Sequence, residues 1–246
     1  MSLLRALDLT KSYDHRQVVK GMNVEVRSGE TIGLLGRNGA GKTTTFQMMV
    51  GLLRPDSGRI LLDDEDISRC PTYERAARGI TYLPQEGSVF LKASVEDNLR
   101  LVLELKHHPE AERKALAAEL LAELGLTSLS RQSAHSLSGG ERRRLEICRA
   151  LSINPKFLLL DEPFTGIDPL TVIELQKILL KLKDKGIGIV ISDHNVRDTF
   201  KIASRAYIID NGELLIEGSP QRIAADDRAK EKFLGNNFKL GEEIPS

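Results

Sequence analysis

The chain has 246 residues, 41% of them hydrophobic and 28% charged, which is enough for one large globular domain or two small ones. Lys plus Arg and Asp plus Glu both number 35, and a net charge of zero excludes a protein that holds nucleic acid by bulk electrostatics. No apolar run approaches a membrane span, the N-terminus lacks the long apolar region of a secretory signal, and Cys70 and Cys148 stand in no metal-ligand spacing, so the reading is a cytosolic protein with reduced thiols.

Residues 3–35 read as strands and turns, with a turn signal at Ser28-Gly29-Glu30 and a short buried strand at 31–35. Residues 36–43 follow as G-x-x-x-x-G-K-T, between that strand and a helix expected from Thr43 to Val50 and ended by Gly51. In such a loop successive backbone N–H groups converge on phosphates, and the helix N-terminus adds positive potential. The candidate nucleotide contacts are therefore Arg37, Asn38, Gly39, Ala40, Gly41, Lys42, Thr43 and Thr44. Lys42 is expected to reach the β- and γ-phosphates, and the Thr43 hydroxyl to take a Mg²⁺ position.

Asp56-Ser57-Gly58 turns into a strand at 59–62, and Gln85 closes another strand-like run. From 94 to 151 the pattern becomes helical. Ser94 caps a helix carrying Val95, Leu99, Val102 and Leu103 on one face; Leu116, Leu120, Leu121 and Leu124 form a second stripe stopped by Gly125. A third helix starts at Ser138, where Ser138-Gly139-Gly140-Glu141 has the capping-box form. Its glycines also clear side chains from a helix N-terminus that an anion could approach. A second phosphate cradle in one chain points to a site completed by another copy. Arg142, Arg143 and Arg144 read as a solvated helix face.

Residues 157–161 form an apolar strand ending in Asp161, the expected second Mg²⁺ anchor. Glu162 is the candidate base that polarises the attacking water; its plainer alternative is to cap a helix or tune the metal. Asp168-Pro169 opens a helix with the stripe Val172, Leu175, Ile178, Leu179 and Leu182, ended by Gly186. A strand at 187–192 precedes His194, and two more lie near 206–209 and 213–216. A helical block thus interrupts a strand–helix alternation, which predicts an α/β fold with a helical subdomain.

This ordered set of motifs resembles the nucleotide-binding subunit of ATP-binding cassette (ABC) transporters over about residues 3–240. The resemblance implies a P-loop NTPase core with an N-terminal antiparallel β subdomain and an inserted helical subdomain at about 86–151, all in one nucleotide-binding domain, with residues 241–246 as a disordered tail. It also implies a Mg²⁺-dependent ATPase that forms a head-to-tail homodimer. Each ATP then lies between residues 36–43 of one copy and Ser138, Gly139, Gly140 and Glu141 of the other. By the same resemblance Tyr13 stacks on adenine (its plainer role is to close a turn), and Gln85 senses the metal and the lytic water. Asp168 crosses the dimer interface while capping its helix, and His194 contacts the γ-phosphate.

The resemblance further implies two integral membrane subunits docking near residues 85–91, where Phe90 and Leu91 line a groove or pack in the core. The chain is expected on the cytoplasmic face of the inner membrane, held there only through those partners, with no nucleic acid bound. Softer matches at 84–90, 141–147, 193–199 and 234–240 resemble the ATPases of lipopolysaccharide exporters, with branched-chain amino acid importers closely similar. Thr165 and Cys148 stand where alanine is usual in the former. Non-transport members carry a long coiled coil or two cassettes in one chain, and neither pattern occurs here.

Overall fold

Residues Thr31–Gly36 are buried at every position, as a strand must be when both its edges are paired and both its faces covered. In the computed structural model, which describes residues 1–104 and 109–240, this strand sits inside a six-stranded sheet. In chain order the elements are β1 (Leu3–Tyr13), β2 (Arg16–Arg27), β3 (Thr31–Gly36), α1 (Lys42–Val50), β4 (Ser57–Leu62), β5 (Glu65–Asp66), α2 (Thr72–Ala77) and β6 (Ile80–Leu83). Then come α3 (Val95–Glu104), α4 (Glu110–Glu123), α5 (Gly139–Leu151), β7 (Phe157–Asp161), α6 (Pro169–Asp184), β8 (Gly188–Asp193), α7 (Val196–Phe200), β9 (Arg205–Asp210), β10 (Glu213–Gly218) and α8 (Pro220–Ala225).

The large sheet runs β10-β9-β3-β8-β7-β6, parallel except for the edge strand β10. A smaller antiparallel sheet runs β2-β1-β4-β5. Although β7 and β8 are apolar throughout, the strand period still sorts their side chains. Leu158, Leu160, Ile189 and Ile191 pack with α3, α4, α5 and α6, while Phe157, Leu159 and Val190 pack toward α1 and the small sheet. The result is α/β with an antiparallel β layer and a helical block, as the motif order predicts.

Several local expectations hold for the reasons given. Gly51 ends α1 at φ +83°, and Ser94 accepts the Asp97 N–H at 3.0 Å. Ser138 and Glu141 form the reciprocal capping box, and Asp168 caps α6 with Pro169 at its first turn. Cys70 and Cys148 are free thiols, and burial pushes the Cys148 thiol up to about 12.

One expectation fails. Arg142, Arg143 and Arg144 are not a solvated face: Arg143 is buried and donates to Glu146 at 2.8 Å, and Arg144 donates to Glu174 at 2.6 Å. Charge counting could not reveal this, because Glu174 comes from a different helix. The expected tail at 241–246 lies outside the described residues. Among the described residues no helix is long and apolar enough to cross a membrane.

Candidate functional site

Parallel pairing brings the C-terminal ends of β3, β6, β7 and β8 to one edge of the large sheet. In register, Leu35 pairs with Asp193, Asp161 with Ser192, and Leu83 with Leu160. The four loops leaving these strands carry Gly39, Gln85, Glu162 and His194, which chain order scatters and topology gathers. This edge is where open parallel sheets bind ligands.

A cavity of about 370 Å³ opens there, lined by Val18, Asn38, Gly39, Gly41, Lys42, Thr43, Thr44, Gln85, Glu162 and His194. Lys42 is almost fully buried, and its ammonium donates to the carbonyls of Gly36 at 2.8 Å and Arg37 at 3.2 Å. Burial lowers its pKa, against the pull of Glu162, Asp161 and Asp193. A polyanion in the cavity would supply the countercharge this lysine lacks a close contact with. Gly41 leads into α1 at φ +104°, and a Cβ there would come within 2.7 Å of the Val18 carbonyl, so the loop closes on β2 only with glycine.

Asp161 is buried and surrounded by hydroxyls. Ser192 donates to Oδ1, the Thr43 hydroxyl lies 3.5 Å from Oδ1, and Tyr82 donates to Oδ2 at 3.2 Å. A hydroxyl facing a carboxylate is a hard oxygen pair suited to Mg²⁺, so Thr43 and Asp161 fit as its protein anchors. Burial raises the Tyr82 phenol, with Asp161 adding to the shift, and this keeps it a neutral donor.

Glu162 does not cap a helix; Asp168 does that for α6. Its Oε2 instead accepts from Gln85 at 3.0 Å and Thr165 at 3.1 Å, and His194 Nδ1 lies 3.6 Å away. Gln85 thus contacts the candidate base rather than Asp161. Asp193, behind His194, is buried with Oδ1 bound by the Asn195 N–H and Oδ2 without a partner; burial raises its pKa.

The structure does not bring all the candidates into this cavity. Ala40 packs into the core, and Arg37 contributes its carbonyl rather than its side chain. Tyr13 is half exposed with the Lys11 ammonium 5.9 Å from its ring, and it does not line the cavity. Ser138, Gly139 and Asp168 lie exposed on a separate patch. There a Cβ on Gly139 would meet Ile167 at an ordinary 3.7 Å, whereas one on Gly140 would meet Thr171 at 2.3 Å. Close packing of α5 on α6 therefore accounts for Gly140, and only Gly139 is left open for a ligand.

Sequence reasoning missed three residues that hold the site. Arg143 donates to the Pro84 carbonyl at 3.1 Å and to the Asp161 carbonyl at 3.2 Å. Its partner Glu146 accepts the Ser88 N–H at 3.0 Å. Buried Asn98 both accepts from the Phe90 N–H at 2.8 Å and donates to the Phe90 carbonyl at 3.0 Å. No local motif marks them, since each acts across long sequence separations or on a loop.

Known proteins match this arrangement. The family described as ABC transporter matches residues 19–165. The lipopolysaccharide export system ATP-binding protein LptB of Acidithiobacillus ferridurans is 52% identical over 97% of this chain and 99% of its own. That of Escherichia coli K12 is 50% identical over 98% and 100%. Among solved structures, the ATP-binding cassette MJ1267 of an ABC transporter superposes with a TM-score of 0.87 at 28% identity, covering 96% of this chain and all of that one. CbiO1 of Clostridium perfringens, part of the ABC transporter complex cbiONQ, gives 0.83 at 31% identity over 93% of both. With its strand-edge motifs, its sheet order and these relatives in agreement, the chain belongs to the ABC transporter family.

Proposed function

We propose that this chain is the ATP-hydrolysing subunit of a lipopolysaccharide exporter, acting as a homodimer with two integral membrane subunits on the cytoplasmic face of the inner membrane. The observation that carries the catalytic reading is the gathering of Lys42, Thr43, Gln85, Glu162 and His194 around one cavity. Near-full-length identity to the export ATPases of two bacteria supports the transported substrate.

In this reading the N–H groups of residues 37–44 and the Lys42 ammonium hold the β- and γ-phosphates. Thr43 and Asp161 would hold Mg²⁺, which when bound would offset charge on the phosphate oxygens. Glu162 draws a proton from a water that attacks the γ-phosphorus; the bond to the β–γ bridging oxygen breaks, leaving ADP and inorganic phosphate. Gln85 and Thr165 fix the oxygen of Glu162 they both touch, and His194 faces the γ-phosphate from the β8 side. The exposed patch of Ser138, Gly139 and Asp168 serves the partner copy's nucleotide.

Phe90 and Leu91 are 49% and 43% exposed, which favours a docking surface over core packing. The Arg149 guanidinium lies over the Phe90 ring at 4.7 Å, and Asn98 clamps the same residue's backbone. The loop is thereby presented in a fixed shape to a membrane partner. The test is purification of the Glu162→Gln variant from detergent-solubilised cells with ATP and Mg²⁺. Co-purification of integral membrane subunits of a lipopolysaccharide exporter supports the assignment. Recovery of an importer's membrane subunits overturns it.

A further inference from the structure

Tyr82 stands one strand away from the candidate metal anchor, yet its hydroxyl reaches it. The residue lies on β6 opposite Leu159 of β7, and its ring meets Phe46 of α1 edge-on at a centroid distance of 6.5 Å. Its phenol donates to Oδ2 of Asp161 at 3.2 Å, while Ser192 and Thr43 face Oδ1. The two oxygens are thus divided: one is held by β6, the other is turned toward the helix that follows the phosphate loop. A carboxylate's terminal torsion is broad and two-fold, so packing alone does not choose which oxygen faces which way. Hydrogen bonds from outside the coordination shell do choose, and removing one such partner typically weakens a metal site.

We propose that Tyr82 is a positioning residue for the metal: by holding Oδ2 it presents Oδ1, beside Thr43, to the Mg²⁺ of the bound nucleotide. This rests on the assignment of Thr43 and Asp161 as metal anchors. Tyr82 lies on the short strand β6, which leads directly into Pro84 and Gln85, and the Gln85 amide donates to Glu162. One strand therefore positions both the metal carboxylate and the candidate base.

Tyr82→Phe removes the hydroxyl and keeps the ring. Binding of a fluorescent ATP analogue to the purified chain is measured across a Mg²⁺ titration and again in EDTA. The expected result is a Mg²⁺ half-saturation raised roughly 10-fold, unchanged nucleotide affinity in EDTA, and recovery of both binding and turnover at excess Mg²⁺. Phe46→Leu, which disturbs the ring contact but leaves the hydroxyl, is expected to keep the wild-type Mg²⁺ curve. Superimposable curves for Tyr82→Phe and wild type overturn the proposal, as does an equal loss of affinity with and without Mg²⁺. A wild-type chain with no Mg²⁺ dependence instead overturns the anchor assignment beneath it.

If Tyr82→Phe does not fold, the chain is labelled with 3-fluorotyrosine. The Tyr82 fluorine resonance is identified by replacing the other three tyrosines, Tyr13, Tyr73 and Tyr207, with phenylalanine. The proposal requires that resonance to shift when Mg²⁺ is added to the ATP-bound chain and to stay in place with ATP in EDTA. The absence of that metal-dependent shift overturns it.

Discussion

Glu162 adopts φ +45°, a left-handed conformation that costs a non-glycine residue about 1–3 kcal/mol. Its surroundings hold it there: its N–H donates to the Ser192 carbonyl at 2.8 Å, and its carboxylate receives Gln85 and Thr165. Glu162→Gln keeps the shape and removes the base, so ATP binding should persist while turnover falls by ~10²–10⁴. Single-turnover hydrolysis beside equilibrium binding checks this, and near-wild-type hydrolysis would remove Glu162 as the base. The two glycines after Ser138 make a second prediction at this scale. Gly140→Ala should destabilise by about 1–3 kcal/mol through overpacking on Thr171. Gly139→Ala should change stability by less than about 1 kcal/mol; denaturant melts separate the two. The capping box was legible because its partners lie within one turn. The Gly140 contact was not, because Thr171 belongs to another helix.

At the scale of elements, α5 is the connecting rod. Its N-terminus carries the exposed Ser138 and Gly139, its middle reaches the Pro84 and Asp161 carbonyls through Arg143, and Arg149 near its end donates to the Ser88 carbonyl. The Arg143–Glu146 pair is buried, so Glu146→Ala strands a charge. Loss of a buried partner costs up to about 3–5 kcal/mol, reduced here by the two carbonyl acceptors that Arg143 retains. Urea unfolding measures it, and a loss below 1 kcal/mol would show that the carbonyls suffice. The clamp from α3 predicts a different outcome. Asn98→Ala should loosen residues 88–91, weakening co-purification with membrane subunits more than ATP binding; equal losses of both would refute a docking role. Long helices such as α6 were readable from the spacing of their apolar residues, and β7 from an unbroken apolar run ended by an acid. The six-residue α2 and the two-residue β5 were not, since neither is long enough to display a period.

At the scale of the molecule, sheet order decides which motifs stand side by side, whatever their order along the chain. β3 lies between β8 and β9, so the phosphate loop stands beside the strand ending at Asp193, with Asp161 one strand further out and Gln85 beyond it. The exposed patch at the start of α5 and α6 lies outside that cavity, where Ser138 and Asp168 cap their own helices. In the proposed homodimer, a complete catalytic centre needs the cavity of one copy and the patch of another. The direct measurement is ATPase activity in a mixture of a Lys42→Ala chain and a Gly139→Asp chain, each inactive alone. Gly139 is the right position because its side-chain space is open, whereas Gly140 would disturb packing. A mixed dimer pairs the intact cavity of one chain with the intact patch of the other, so mixing should restore hydrolysis with a rate rising as the square of dilute protein concentration. Two chains that stay inactive when mixed, or a Gly139→Asp chain that hydrolyses ATP normally by itself, would contradict it.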